Sequence, residues 1–295
     1  MVDAASEETG VFDAHHHLWD TRVLEYRLLR ELPALDRPFL LAEYEREARS
    51  LGVTGSLWVE AASAGADGAR ELDWVREHVA GSELVQGLVA HVALEHPEDE
   101  LDWLLGGSGP PVVGVRHSFE FEDPDFGRRP EVVRGARLAG ERGLVVDLVL
   151  FPPALPAVLD LVDACPDTRF VLDHLGKPDI AQRRWEPWAS QLRRLSERSN
   201  VTAKLSGLAT EADRTTWSVA DLRPYVEHAL DTFGADRLLY GSDWPVLELA
   251  GGHARWLEAL VLLLDSLTAR ERRAILSGNA RRVYFGRAAA GDEHP

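Results

Sequence analysis

Short runs of consecutive aliphatic residues alternate along this chain with longer stretches whose apolar positions recur every three to four residues. The runs fall at 11–17, 56–60, 85–92, 112–117, 144–150, 169–174, 201–206 and 237–240. They lack the polar alternation of a half-exposed strand, so they predict strands buried on both faces, as in parallel sheets. Helical periodicity fills 42–51, 69–80, 96–105, 130–142, 153–164, 185–199 and Val219–Phe233, and two or three further helices follow. The stretch 18–41, with Pro33 and Pro38, reads as a long loop. About eight strand–helix units predict an α/β fold, a (β/α)8 barrel, with a doubly wound sheet as the second architecture. No Gly-rich phosphate fingerprint follows the first strand, which disfavours a dinucleotide fold. The whole of 1–295 is expected to form one domain, with flexible tails at 1–10 and 287–295.

Composition narrows the partners. Hydrophobic residues make up 45% of the 295, enough for a sizeable core, and the net charge is −17. Such a surface repels nucleic acid and anionic membranes. No apolar stretch is long enough to span a bilayer, and residues 1–10 do not read as a signal peptide. The one cysteine, Cys165, excludes an intrachain disulfide and reads as core filler, consistent with a cytoplasmic protein.

The chemistry lies at the strand ends. The first strand runs into Asp13-Ala-His15-His16-His17-Leu-Trp19. Side chains two apart share a face of a strand, so Asp13, His15 and His17 are expected to project together. The later strands end in Glu60, His91, Arg116 with His117, Asp147, His174, Lys204 with Ser206, and Asp243. Ionisable groups are rarely buried without partners, and in a barrel all these ends meet at one face, so a shared polar cavity is expected. On the sixth strand Asp173 and His174 should point to opposite faces, and His174 is assigned to the site. Asp243, in Tyr240-Gly-Ser-Asp-Trp-Pro245, can bind a metal or accept a proton from water. Arg116 offers a forked donor to a substrate or a salt bridge to Glu60 or Asp147. Lys204 suits the hydroxyls of a polar ligand or Asp147. Trp19 and Trp244 suit a ligand ring or the barrel rim.

With His15-x-His17, His174 and Asp243 on strands one, six and eight, the chain resembles the amidohydrolase superfamily. It is most similar to the amidohydrolase-related group that holds the sugar lactonases and pyrone dicarboxylate lactonase. The matching stretches are Asp13 to Trp19, Gly114-Val-Arg-His117, Asp173-His-Leu-Gly-Lys-Pro178, Lys204-Leu-Ser-Gly207, Tyr240 to Pro245 and Gly278-Asn-Ala-Arg-Arg-Val-Tyr284. The resemblance implies a distorted (β/α)8 TIM barrel and hydrolysis of a sugar-acid lactone, with Asp243 as general base and His15 and His17 shaping the metal or substrate site. Members with two metals place a bridging Lys or Glu on the fourth strand and a His on the fifth. Arg116-His117 and Asp147 stand there instead, which disfavours a two-metal site. One zinc, held by His15, His17 and Asp243 or Glu60, and a metal-free site are the two alternatives. Without metal, a histidine among His15, His17, His117 and His174 would polarise the carbonyl.

Catalytic roles are thus expected of Asp243, His174 and His117, and substrate contacts of Arg116, Trp19, Glu60, Lys204 and Trp244. A nonoxidative decarboxylase of the same superfamily is the rival enzyme class, and a non-catalytic sugar-acid-binding barrel the rival of another class. The expected partner is a small lactone or sugar acid, and the protein a monomer or homodimer.

Overall fold

A computed structural model describes residues 10–62 and 67–286. The expected tails, 1–10 and 287–295, lie outside the described residues apart from Gly10. Among these residues eight strands form one parallel sheet in sequence order: β1 Val11–His16, β2 Val53–Val59, β3 Val85–His91, β4 Val112–Ser118, β5 Val145–Val149, β6 Phe170–Leu172, β7 Val201–Leu205 and β8 Leu238–Tyr240. Helices α1 Leu41–Ser50, α2 Gly68–Val79, α3 Glu98–Leu105, α4 Pro130–Glu141, α5 Leu155–Ala164, α6 Trp188–Ser196, α7 Val219–Phe233 and α8 Gly252–Leu263 follow the strands in turn. Then come α9 Ala269–Arg273, a wide turn Ala274–Gly278 and α10 Asn279–Phe285. This is the expected (β/α)8 TIM barrel. No helix among the described residues is long and apolar enough to cross a membrane.

The barrel interior is filled by Phe12, Ala14, Leu57, Val59, Val89, Val145, Val171 and Leu239, all buried. Each such side chain contributes about 1.5–3 kcal/mol on leaving water. The terminal helix α10 adds Ala280, Val283 and Tyr284 to this cluster, and Phe285 meets Phe12 edge-on at 6.1 Å. The starts of the strands are therefore plugged, and the polar ends face the other way.

Closure happens at the polar end. β8 is three residues long, and it reaches β1 through one parallel bridge just beyond it, His16 to Trp244. The His17 N–H donates to the Trp244 carbonyl and the Asp243 N–H to the His15 carbonyl, both at 2.7 Å. The Asp13 carboxylate locks this seam. It accepts from the Ser242 N–H at 2.7 Å, the Ser242 hydroxyl at 2.6 Å, the Tyr44 hydroxyl at 2.9 Å and the His15 N–H at 3.1 Å. Gly241 is required at the seam, because a Cβ there would lie 2.7 Å from the His15 Cβ.

The expected common face of Asp13, His15 and His17 is not what forms. Asp13 pairs with Ser56 and His16 with Trp58, so β1 carries one residue more than β2 over this interval, a bulge. The bulge breaks the two-residue alternation. Asp13 turns outward to Tyr44 and Ser242. His16 also turns outward, stacked on Tyr44 at 3.8 Å and 3.1 Å from the Ser56 hydroxyl. His15 and His17 face inward together.

Burial holds the His16 pKa well below 6.5 and lowers that of His253, whose ring bonds the Tyr240 hydroxyl at 2.7 Å. Both are neutral in the fold and charge on unfolding in acid. A folded pKa below the unfolded one gives stability that is complete above the unfolded pKa and drains as pH falls through it. Urea melts should show unfolding free energy falling from about pH 7.5 to about pH 5.5, by at most about 1.4 kcal/mol per pH unit per histidine. His16→Gln combined with His253→Gln should make that slope shallower and leave the part due to the other buried histidines His15 and His174.

Candidate active site

Four side chains from three strand ends converge on one point. The Asp243 Oδ1 lies 3.4 Å from His17 Nε2, 3.7 Å from His15 Nε2 and 3.9 Å from His174 Nε2. The two β1 histidines stand 3.2 Å apart, Nε2 to Nε2. Asp243 is held at φ 61°, in the left-handed region that costs a non-glycine residue about 1–2 kcal/mol. His174 also sits there, at φ 53°. Strain of this kind collects at functional sites because the surrounding structure over-determines it.

The turn after β6 overturns another expectation. The strand stops at Leu172, and Asp173 opens a tight turn through Gly176. Strict alternation fails there, so Asp173 and His174 both reach the site instead of dividing between two faces. His174 Nδ1 is 2.8 Å from the Ser206 hydroxyl, and a Cβ on Gly207 would fall 2.6 Å from that same nitrogen. Asp173, passed over in favour of His174, lies 2.9 Å from Lys204 Nζ, 3.1 Å from Arg116 Nη1 and 3.3 Å from His15 Nδ1.

Beneath the histidines lies a buried layer of charge. Lys204 Nζ bonds Asp147 at 2.5 Å as well as Asp173, and Arg116 Nε bonds Glu60 at 2.6 Å. Tyr284 reaches up from the α10 plug and donates to both Asp147 oxygens, at 2.7 and 2.9 Å. Burial raises the Asp147 pKa to about 6 against the pull of Lys204. Burial acts the same way on Asp173, but Lys204, His15 and Arg116 override it and hold that carboxyl well below the usual range. Burial would also raise Asp243, and His174 and His17 reverse this and keep it below 3.8. Burial lowers His15 strongly and His174 less, so both imidazoles are neutral at neutral pH.

The donor set fits a single zinc. Around tetrahedral zinc with bonds of 2.0–2.1 Å, ligand atoms lie about 3.3 Å apart. The separations among His15, His17 and Asp243 are 3.2, 3.4 and 3.7 Å. His17 Nδ1 donates to the Val59 carbonyl at 2.9 Å, and His15 Nδ1 faces Asp173. The Val59 bond leaves the His17 Nε2 lone pair facing His15 and Asp243, while His15 Nδ1 is contacted by both Asp173 and, at 3.2 Å, the Lys204 ammonium. Among the described residues His15, His17 and Asp243 are thus one set that could hold a metal; His15 with Asp173 and His174, and Glu95 with His117 and Glu122, are also close enough to share an ion.

Other expected site residues are placed differently. Glu60 is fully buried and holds Arg116, and Lys204 is fully buried between Asp147 and Asp173. Both brace the floor of the site. His117 is not brought to the cluster: it follows Arg116 on β4, points the other way and stacks on Phe126 at 4.8 Å. Its ring nitrogens lie 3.8 Å from Glu95 and 3.6 Å from Glu122. Trp19 donates to the Leu35 and Arg37 carbonyls, and Trp244 donates to Glu47 and packs on Phe39 and Tyr44. Both are nearly fully buried rim residues.

Comparison with known proteins agrees with this geometry. The family model described as "Amidohydrolase" matches residues 12–286. The L-fucono-1,5-lactonase of Burkholderia ambifaria is 32% identical over 96% of this chain and 98% of its own length. That of Burkholderia multivorans is 30% identical over 92% and 95%. A crystal structure of an amidohydrolase from Burkholderia multivorans with bound zinc superposes with a TM-score of 0.85, at 27% identity over 94% of this chain and 99% of that one.

The charge layer makes a direct prediction. Lys204→Met strips the shared ammonium from Asp147 and Asp173 and should cost about 3–5 kcal/mol in urea denaturation. Adding Asp147→Asn should recover part of the loss.

Proposed function

The chain belongs to the amidohydrolase family, and we propose that it opens the ester ring of a sugar-acid lactone, with Asp243 as the base for the attacking water. The convergence of Asp243 with His15, His17 and His174 at the carboxyl end of the barrel carries this reading. The lactonase relatives, similar over nearly the full length, support the substrate class.

The chemistry follows from the geometry. Water placed against Asp243 gives up a proton to its carboxylate as the water oxygen attacks the lactone carbonyl. His174 Nδ1 and the Ser206 hydroxyl lie 2.8 Å apart; with the hydroxyl as donor, the His174 Nε2–H faces the reacting centre as a donor to the carbonyl oxygen. The ring C–O bond then breaks, and the proton held on Asp243 passes to the departing alkoxide. The product is the open hydroxy acid, and Asp243 is again ionised. A carboxylate held below its ordinary pKa is a weak base, so water needs further activation. A zinc on His15, His17 and Asp243 would supply it by acidifying water.

Asp243→Asn tests the assignment. It should lower kcat on a responsive aldonolactone by about 10²–10⁴-fold, read with a pH indicator. Equal rates in the two proteins would remove Asp243 as the base. Metal analysis of the purified protein should find about one zinc per chain, and chelation should lower the melting temperature and slow turnover together. Full activity in zinc-depleted protein would leave the metal-free form of the mechanism.

A further inference from the structure

Three loops at the carboxyl end of the barrel each send one charged side chain to a common point that the mechanism above does not use. Glu120 lies in the turn after β4, Lys177 ends the turn after β6, and Glu211 ends a short helical turn after β7. The Lys177 ammonium is bonded to Glu120 and lies 4.0 Å from Glu211. These side chains are 12–22% exposed, whereas Asp243 and His174 are 5–6% exposed. They form the next layer outward, toward solvent. The link to the reacting centre is short, because the Lys177 N–H bonds the His174 carbonyl at 2.9 Å. Burial lowers the Lys177 pKa, and the charges of Glu120, Glu211 and, more weakly, Asp243 override it; burial raises that of Glu211, and Glu120 and Asp243 add to the rise. An aromatic face completes the setting: Lys177 Nζ stands 5.1 Å from the Phe151 ring centre, and Phe151 is 45% exposed.

We propose that Glu120, Lys177 and Glu211 are the specificity subsite, which binds the hydroxyl-bearing part of the lactone and rejects lactones that carry a second acidic group. The proposal rests on the lactone-hydrolase reading of Asp243. A sugar hydroxyl both donates and accepts, and this triad offers two carboxylate acceptors and one ammonium donor. A carboxylate substituent meets a different field. The ammonium is already shared by two carboxylates, which leaves the triad itself with one excess negative charge. Like charges at short range in a partly dehydrated site disfavour binding, and such repulsion is a common source of selectivity. The exposed face of Phe151 suits the C–H edge of a sugar ring and carries no charge.

A matched pair of substrates tests this. An aldonolactone and the aldarolactone of the same ring configuration differ only by a carboxylate in place of a hydroxymethyl group. The wild-type protein should favour the neutral member by about tenfold or more in kcat/KM. Glu120→Gln and Glu211→Gln keep the size of each side chain and remove one charge. Each should narrow the ratio by about fivefold, mainly through KM, with KM for the aldarolactone falling. A purely structural latch would shift the melting temperature and leave the ratio alone. A wild-type preference for the aldarolactone, or an unchanged ratio in both variants, overturns the subsite and leaves the hydrolase reading standing. Absence of turnover of every lactone, by wild type and Asp243→Asn alike, overturns both.

Discussion

One carboxylate holds the two ends of the barrel together. Asp13 takes four hydrogen bonds from Ser242, Tyr44 and His15, and it does so where β8 has already ended. A buried carboxylate is stable only when its lone pairs are satisfied, so the seam cannot slide without leaving an unmet charge in the interior. The same bonds set the spacing of the site. The Asp243 N–H is tied to the His15 carbonyl and the His17 N–H to the Trp244 carbonyl, so the candidate base and the candidate ligands are neighbours through backbone before their side chains meet.

The second constraint is electrostatic. Around the reacting centre Glu60, Asp147, Asp173 and Asp243 lie with the cations Arg116 and Lys204, all of them buried. Ion pairs at that depth gain little net stability over apolar packing, and removing one partner is costly. Their value here is placement. Arg116 and Lys204 converge on Asp173, and Asp173 orients His15 so that its other nitrogen faces Asp243. The surplus of carboxylates beside the neutral His15 and His174 also favours a divalent cation here, in agreement with the donor spacing.

The fold was legible because aliphatic runs and helical periodicity are local properties, and eight of each permit few arrangements. The convergence of His15, His17, His174 and Asp243 followed from the rule that strand ends meet. What failed was parity. A bulge in β1 depends on how β2 pairs with it, and nothing in Val11 to His17 announces it. β6 is too short for alternation to reach Asp173 and His174, so choosing one of them was bound to lose the other. For His117 the alternation rule, applied beside Arg116, would have excluded it. Glu120, Lys177 and Glu211 carried no signal of convergence, since the first and the last are 91 positions apart. Lys177 did lie inside a stretch already singled out, and Tyr284, which donates to Asp147 from below, ended another.

The seam also bears on how the molecule comes to exist. Asp13 and Ser242 are 229 positions apart, and the pairing between them must be reached after nearly every other strand has found its neighbour. Loop-closure entropy makes such a contact late, and the candidate catalytic cluster cannot form without it. Intermediates with most of the sheet assembled would therefore be inert. Turnover reports completion of the ring, and recovery of rate after dilution from denaturant would time the last step of folding more faithfully than the return of secondary structure.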